Sequence, residues 1–159
     1  MELYLMQHGL CVSEAEDPRK PLSTEGRRII ESSARALARM GLSFDLIITS
    51  DKLRAKETAE IVARETNYRG EIKEHKEFKP TAPPEEAVEV LRKYDAQKVF
   101  VAGHLPSLAE ITSYLLGGEK KVRLRFRNGG LVALETDLTP GEAELLFALT
   151  PEQLALIAG

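Results

Sequence analysis

The chain has one cysteine, Cys11, in 159 residues, so no internal disulfide can form. A chain without disulfides fits the cytoplasm, where thiols stay reduced, and that is the expected location. No apolar run approaches the roughly 20 residues that a membrane-spanning helix needs. The first residues carry no basic segment, and their apolar run is too short for a secretory signal. No Cys/His group has zinc-ligand spacing and no Walker-type glycine loop occurs, so neither a metal nor a cofactor is expected. Histidine is scarce: only His8, His75 and His104 are present. Repeats, low-complexity segments and linkers are missing too. The net charge of -3 gives no reason to expect nucleic acid or a membrane surface as partner, although it leaves room for a local basic pocket. What is present is an ordinary globular composition, 43% hydrophobic and 30% charged, of a size that suits one domain over 1–159.

The pattern alternates strand and helix. Leu3-Tyr4-Leu5-Met6 is a continuous apolar run, as expected of a strand buried on both faces of a parallel sheet. A polar loop with Pro18 and Pro21 follows, then Ser23 or Thr24 as N-cap of a helix from about Glu25 to Met40, which Gly41 ends. Phe44–Thr49 reads as a second buried strand. Ser50-Asp51 reads as the start of a helix over Lys52–Thr66. Glu71–Glu77 reads as a peripheral strand, Lys79–Pro84 as a loop and Glu85–Tyr94 as a short helix. Lys98–Ala102 is a third strong strand. A helix opened by Pro106 runs to Gly117-Gly118. Val122–Phe126 and Gly130–Glu135 read as two strands joined through Arg127-Asn128-Gly129. Glu144–Leu149 reads as the last strand and Pro151–Ile157 as a closing helix. The expected architecture is an α/β three-layer sandwich: a mostly parallel central sheet, helices on both faces and an antiparallel C-terminal part.

Three strand ends carry chemistry. His8 follows the first strand, Arg54 lies just past the second, and His104 follows the third. In a parallel sheet these ends share one edge, where ligands bind. His8 alone could equally be a strand cap; three such groups converging make it a site residue. Gly9 lets the chain turn sharply and lets another group approach its backbone.

These segments resemble the histidine phosphatase (phosphoglycerate mutase-like) superfamily, and most of all the small bacterial phosphohistidine phosphatases of the SixA type. Leu5-Met6-Gln7-His8-Gly9 is similar to a strand ending in Arg-His-Gly. Lys20-Pro21-Leu22-Ser23-Thr24-Glu25-Gly26 is similar to Arg-Pro-Leu-Thr-x-x-Gly. Ser50 to Thr58 is similar to Ser-Pro-x-x-Arg-Ala-x-x-Thr, and Val101 to Pro106 to the segment with the second histidine. The resemblance runs from Met1 to about Gly118.

The resemblance implies that His8 is the nucleophile, forming a phosphohistidine intermediate that water hydrolyses. It implies that Arg54 clamps phosphate oxygens, with Gly9 and Leu105 beside the substrate, and that a protonated His104 would donate to a phosphoryl oxygen. Gln7 departs from the family pattern, because arginine belongs there. Lys20, or its neighbour Arg19, could supply the missing positive charge. Glu77 falls where some members carry a carboxylic acid that protonates the leaving group, although a solvated surface glutamate is as good a reading. His75 is expected to be a surface strand residue and Cys11 to be structural. The implied partner is a phosphohistidine-bearing phosphorelay or phosphotransfer protein, together with phosphate. About 45 residues separate Thr58 from His104, too few for a long lid beyond the elements they must build. An open pocket suits a protein substrate. Two other readings stand beside this one: a phosphatase of small phosphomonoesters, and a catalytically weak phosphate- or phosphohistidine-binding protein because of Gln7.

Overall fold

Strand β1 (Glu2–Gln7) lies inside a six-stranded sheet, and its four central residues are buried. A computed structural model describes residues 1–159. Along the chain, β1 is followed by α1 (Thr24–Arg39), β2 (Leu46–Thr49), α2 (Leu53–Glu65) and β3 (Ile72–Glu74). A 3₁₀ turn at Lys76–Phe78 leads into α3 (Pro84–Arg92), β4 (Lys98–Gly103) and α4 (Ser107–Gly117). The chain closes with β5 (Leu131–Glu135), β6 (Glu144–Leu149) and α5 (Pro151–Ala158). The strand order is β3-β2-β4-β1-β5-β6. The pairs β1–β4, β2–β4 and β2–β3 are parallel, whereas β5 runs antiparallel to β1 and to β6.

The expected sandwich is present, and the pleat of each strand builds it. Tyr4 and Met6 of β1, Ile47 of β2 and Phe100 of β4 join a core under α1, α2 and α5. Leu3, Leu5, Ile48 and Val101 point the other way, into a core under α3 and α4. A strand with an apolar layer on both sides has no polar face, which is why β1 and β4 read as unbroken apolar runs.

Two parts differ from expectation. Val122–Phe126 is not a strand. β5 is paired on one side by β1 and on the other by β6, so no ladder remains for a third partner. The segment instead lies as an irregular ribbon, with the Val122 N–H bonded to Ser113 Oγ at 2.8 Å. The peripheral strand is shorter than Glu71–Glu77: pairing with β2 covers Ile72 to Glu74 only, and the chain then turns into the 3₁₀ segment so that Phe78 becomes fully buried.

The loop between β1 and α1 is held against the start of the helix. Ser23 caps α1 through its hydroxyl, which accepts from the Gly26 N–H. Gly26 is required for contact rather than for an unusual φ, because a Cβ there would stand 1.9 Å from the Leu10 carbonyl oxygen. Backbone cannot yield as a side-chain tip can. Gly26→Ala should therefore destabilise the protein by about 1–3 kcal/mol, lowering Tm by roughly 3–10 °C in thermal unfolding. An unchanged Tm would show that the loop is free to move away.

Candidate active site

The register of the parallel strands decides what meets at the sheet edge. Gln7 pairs with Gly103, and Thr49 with Ala102, so β1, β4 and β2 end nearly level. His8, His104 and Ser50 are the next residues on these three strands. The His8 N–H bonds to Gly103 O at 2.9 Å, extending the ladder one residue into the site. The two imidazole centroids are 4.9 Å apart. Arg54, in the first turn of α2, directs its Nε at His8 Nε2, 3.4 Å away.

His8 is held in one orientation. Its Nδ1 lies 2.6 Å from Gly9 O, and a carbonyl only accepts, so Nδ1 carries the proton and Nε2 keeps its lone pair. The His8 carbonyl accepts from Asn128 Nδ2 at 2.8 Å, and the Gly129 N–H donates to Gln7 O at 3.0 Å. Thr58 ties α2 to the same place. Its Oγ1 donates to Arg54 O, one helical turn back, and accepts from the Gly9 N–H at 3.1 Å.

The close approach expected at Gly9 is present. A Cβ on it would stand 2.6 Å from Ile30 Cγ1 and 2.9 Å from Leu22 Cδ2. The group that approaches this backbone is thus the core.

Ser50 differs from expectation, since it is no helix cap. Its Oγ lies 2.6 Å from His104 Nε2, both residues are buried, and the Lys52 N–H donates to the same oxygen at 3.3 Å. His104 Nδ1 is buried and has no partner within the protein.

Both rings are neutral at pH 7. Burial pushes His8 down to about 4, against the hydrogen bond it donates to Gly9 O, which favours its charged form, with Arg54 and Lys20 adding repulsion. Burial pushes His104 down to about 3, followed by repulsion from His8, Arg54, Lys52 and Lys20. The side-chain charges that bear on these rings are all cationic, as a phosphoryl site requires.

The remaining expected residues divide. Lys20, at φ 51°, brings its charge to bear on both rings. Arg19 faces outward: its guanidinium is 76% exposed and bonds Asp17 at 3.0 Å. Gln7 has a neutral amide whose Oε1 is buried without a partner. Gln7 and Leu105 line a groove of about 540 Å³ that also includes Leu10, Arg28, Phe126 and Asn128. Glu77 sits past the edge strand β3, and its carboxylate lies 3.8 Å from His75 Nδ1. Three strand spacings, roughly 14 Å, separate β3 from β1. His75, expected as a surface strand residue, lies one residue past β3, half-buried, with its Nε2 2.6 Å from the Tyr94 hydroxyl.

Sequence reasoning did not place Ser50, Lys52, Thr58 or Asn128 among the site residues. Ser50 follows a strand end just as His8 does, and Thr58 lies four residues after Arg54, so local signals existed for both. Asn128 had none beyond a turn, because its partner lies 120 residues away.

The comparisons agree with this fold. A family model of the histidine phosphatase superfamily (branch 1) matches residues 3–80. The chain belongs to this superfamily. An uncharacterized protein of Picosynechococcus sp. is 30% identical over 94% of this chain and 96% of its own length. The structure of the protein histidine phosphatase SixA complexed with tungstate superposes with a TM-score of 0.86 at 23% identity, covering 97% of this chain and 99% of that one. The alpha-ribazole phosphatase of Shigella flexneri (TM-score 0.73, 18% identity, 95% and 97% covered) and a phosphoserine phosphatase of Entamoeba histolytica (0.73, 14%, 96% and 98%) share the same fold. No helix is long and apolar enough to cross a membrane.

Two predictions follow from the charges. Unfolded histidines titrate near pH 6.5, while the folded values lie lower, so between these values the unfolded chain binds more protons. Stability is therefore full above about pH 6.5 and is lost as pH falls toward 4. In urea unfolding, His8→Gln should keep about 2–3 kcal/mol more of its pH 7 stability at pH 4 than wild type does; parallel curves would contradict a His8 held neutral by the fold. Second, Lys20→Ala should weaken tungstate binding by about tenfold and Arg19→Ala by less than about twofold, measured by calorimetry. Equal losses would put Arg19 in the site as well.

Proposed function

We propose that this protein is a phosphohistidine phosphatase, removing the phosphoryl group from a protein histidine through a covalent intermediate on His8. The observation that carries the reading is the fixed tautomer of His8. Its unprotonated Nε2 faces Arg54 among charges that are all positive. A neutral nitrogen can attack phosphorus as the P–N bond to the substrate imidazole breaks, and the leaving imidazole takes up a proton. Water then attacks the phosphorus of phospho-His8, returning the ring to its starting state and releasing phosphate. In both steps the equatorial oxygens carry the charge. Arg54 and Lys20 stabilise it. In the neutral tautomer this reading assigns, Ser50 accepts from the Lys52 N–H and donates to His104 Nε2. His104 then holds its own proton on Nδ1, as a buried donor that a phosphoryl oxygen would satisfy. The bound dianion in turn favours full protonation of that ring.

A phosphohistidine substrate fits better than a phosphomonoester. An alkoxide leaving group needs a nearby acid; Glu77 is paired with His75 beyond the edge strand, and the carboxylates of the adjoining groove are Glu25 and Glu152, of which Glu152 is bonded to Arg127. An imidazole leaving group needs much less help. The residues between Thr58 and His104 are taken up by the rest of α2, β3, the 3₁₀ turn, α3 and β4, so no long lid covers the site. The second reading, a weak phosphohistidine-binding protein, is favoured by one feature only: the uncharged Gln7 where the family pattern has arginine. A charge-assisted hydrogen bond is worth roughly 1.5–3 kcal/mol.

The test compares wild type, His8→Ala and Gln7→Arg on a phosphohistidine protein, phosphoramidate and p-nitrophenyl phosphate. Wild type should turn over the first two well and the ester poorly. His8→Ala should lose at least about a thousandfold, and Gln7→Arg should gain about ten- to a hundredfold. Tight phosphate binding by wild type without turnover of any substrate would favour the binding protein instead.

A further inference from the structure

The segment read as a strand and found to be a ribbon, Lys120 to Arg127, carries five cations in eight residues of a chain whose net charge is -3. It alternates. Lys121, Arg123, Arg125 and Arg127 are exposed, whereas Val122, Leu124 and Phe126 turn inward. Arg127 is neutralised by Glu152, with both guanidinium nitrogens 2.6 Å from its carboxylate oxygens. Lys120, Lys121, Arg123 and Arg125 form no ion pair, and the nearest acids along their groove are Glu110 and Glu119. Four unpaired cations in six residues repel one another and contribute nothing to folding, so they call for an external explanation.

The ribbon leads to the active site. Arg123 and Arg125 line a groove of about 550 Å³ with Leu105, the residue after His104, and with Leu124 and Phe126. Three residues beyond Arg125, Asn128 holds the His8 carbonyl. That span is at most about 11 Å of extended chain.

We propose that this ribbon is the docking surface for the acidic face of the phosphohistidine-bearing protein, a proposal that rests on the phosphohistidine reading above. The groove beside the cations matches a protein rather than a nucleic acid. Leu105 is 37% exposed at its mouth, giving an apolar centre with a charged rim. Phe126, the ribbon's one aromatic residue, is 7% exposed and offers no face on which a base could stack. Carboxylates on the partner would pair with Lys120, Lys121, Arg123 and Arg125 while its phosphohistidine reaches His8. Such pairs at a rim act mainly on the rate of encounter, and salt screens them.

The experiment uses an unphosphorylated histidine phosphotransfer domain of net negative charge, and the same domain with its surface charge reversed, as binding probes. The variants are Lys120→Ser/Lys121→Ser/Arg123→Ser/Arg125→Ser and the milder Arg123→Glu/Arg125→Glu. Wild type should bind the acidic domain at least about tenfold tighter than the reversed one, and both variants should lose that preference. Raising salt from about 20 mM to about 300 mM should abolish it in wild type as well. In parallel, kcat/KM for phosphoramidate should stay within about twofold in the variants, since none of these residues touches the site. Binding of the acidic domain that is unmoved by the variants and by salt would overturn the proposal. So would a variant that loses phosphoramidate turnover as much as domain binding, or a ribbon that binds phosphatidylserine vesicles or single-stranded DNA and neither domain. Failure of wild type to turn over any phosphoramidate would count against the phosphatase reading alone, because the binding arm needs no turnover.

Discussion

The structure depends on how the end of β1 is held. A strand end in water is free to fray, and an imidazole on it would sample many orientations. Here five hydrogen bonds converge on three residues. Gln7 O accepts from the Gly129 N–H, the His8 N–H donates to Gly103 O, and the His8 carbonyl accepts from Asn128. The His8 ring donates to Gly9 O, and the Gly9 N–H donates to Thr58. Three separate parts of the chain, at Thr58, Gly103 and Asn128-Gly129, thus fix one backbone. Ile30 and Leu22 close against Gly9 from beneath. In the proposed reaction, a nucleophile held this way would not have to be ordered in the transition state, which is the chief contribution that a protein makes to phosphoryl transfer.

That fixed backbone sets the electrostatics. Burial keeps both imidazoles neutral, so neither adds to the positive charge supplied by Arg54, Lys20 and Lys52. A neutral His8 is a nucleophile, whereas a protonated one is not. In the proposed reaction the cations would raise affinity for the dianion, and they add to burial in opposing protonation of His8. Gln7 removes one cation from this set without disturbing the packing. In the proposed reaction its effect would fall on charge density at the phosphoryl oxygens, with Lys20 as the loop cation that bears on both rings.

The ribbon at 120–127 shows how a correct local pattern can lead to a wrong element. Alternation of apolar and charged residues is what a half-buried strand needs, and the segment has it. The ladder beside it was already taken by β1 and β6. Competition for an edge is decided by the whole sheet, so no window of sequence contains it. The burial pattern survived the loss of the strand: apolar side chains still face inward and cations outward.

Much of the fold and part of the site were legible in the sequence. The apolar runs of β1, β2 and β4 determined a buried parallel sheet, since only a strand covered on both faces tolerates no polar side chain. Ser23 and Gly41 marked the ends of α1, because caps are local. The strand-end rule then brought His8, Arg54 and His104 to one edge. Tertiary structure decided the rest. Register made the strand ends level, and only then could Ser50 meet His104 and Asn128 meet His8. Arg19 and Lys20 are neighbours in sequence with equal charge; the turn at Lys20 sent one to the rings and left the other on Asp17. Sequence specifies which residues can do chemistry and roughly where the chain bends. The partner of each buried polar atom is chosen by packing across distant segments, and a linear pattern carries no information about that distance.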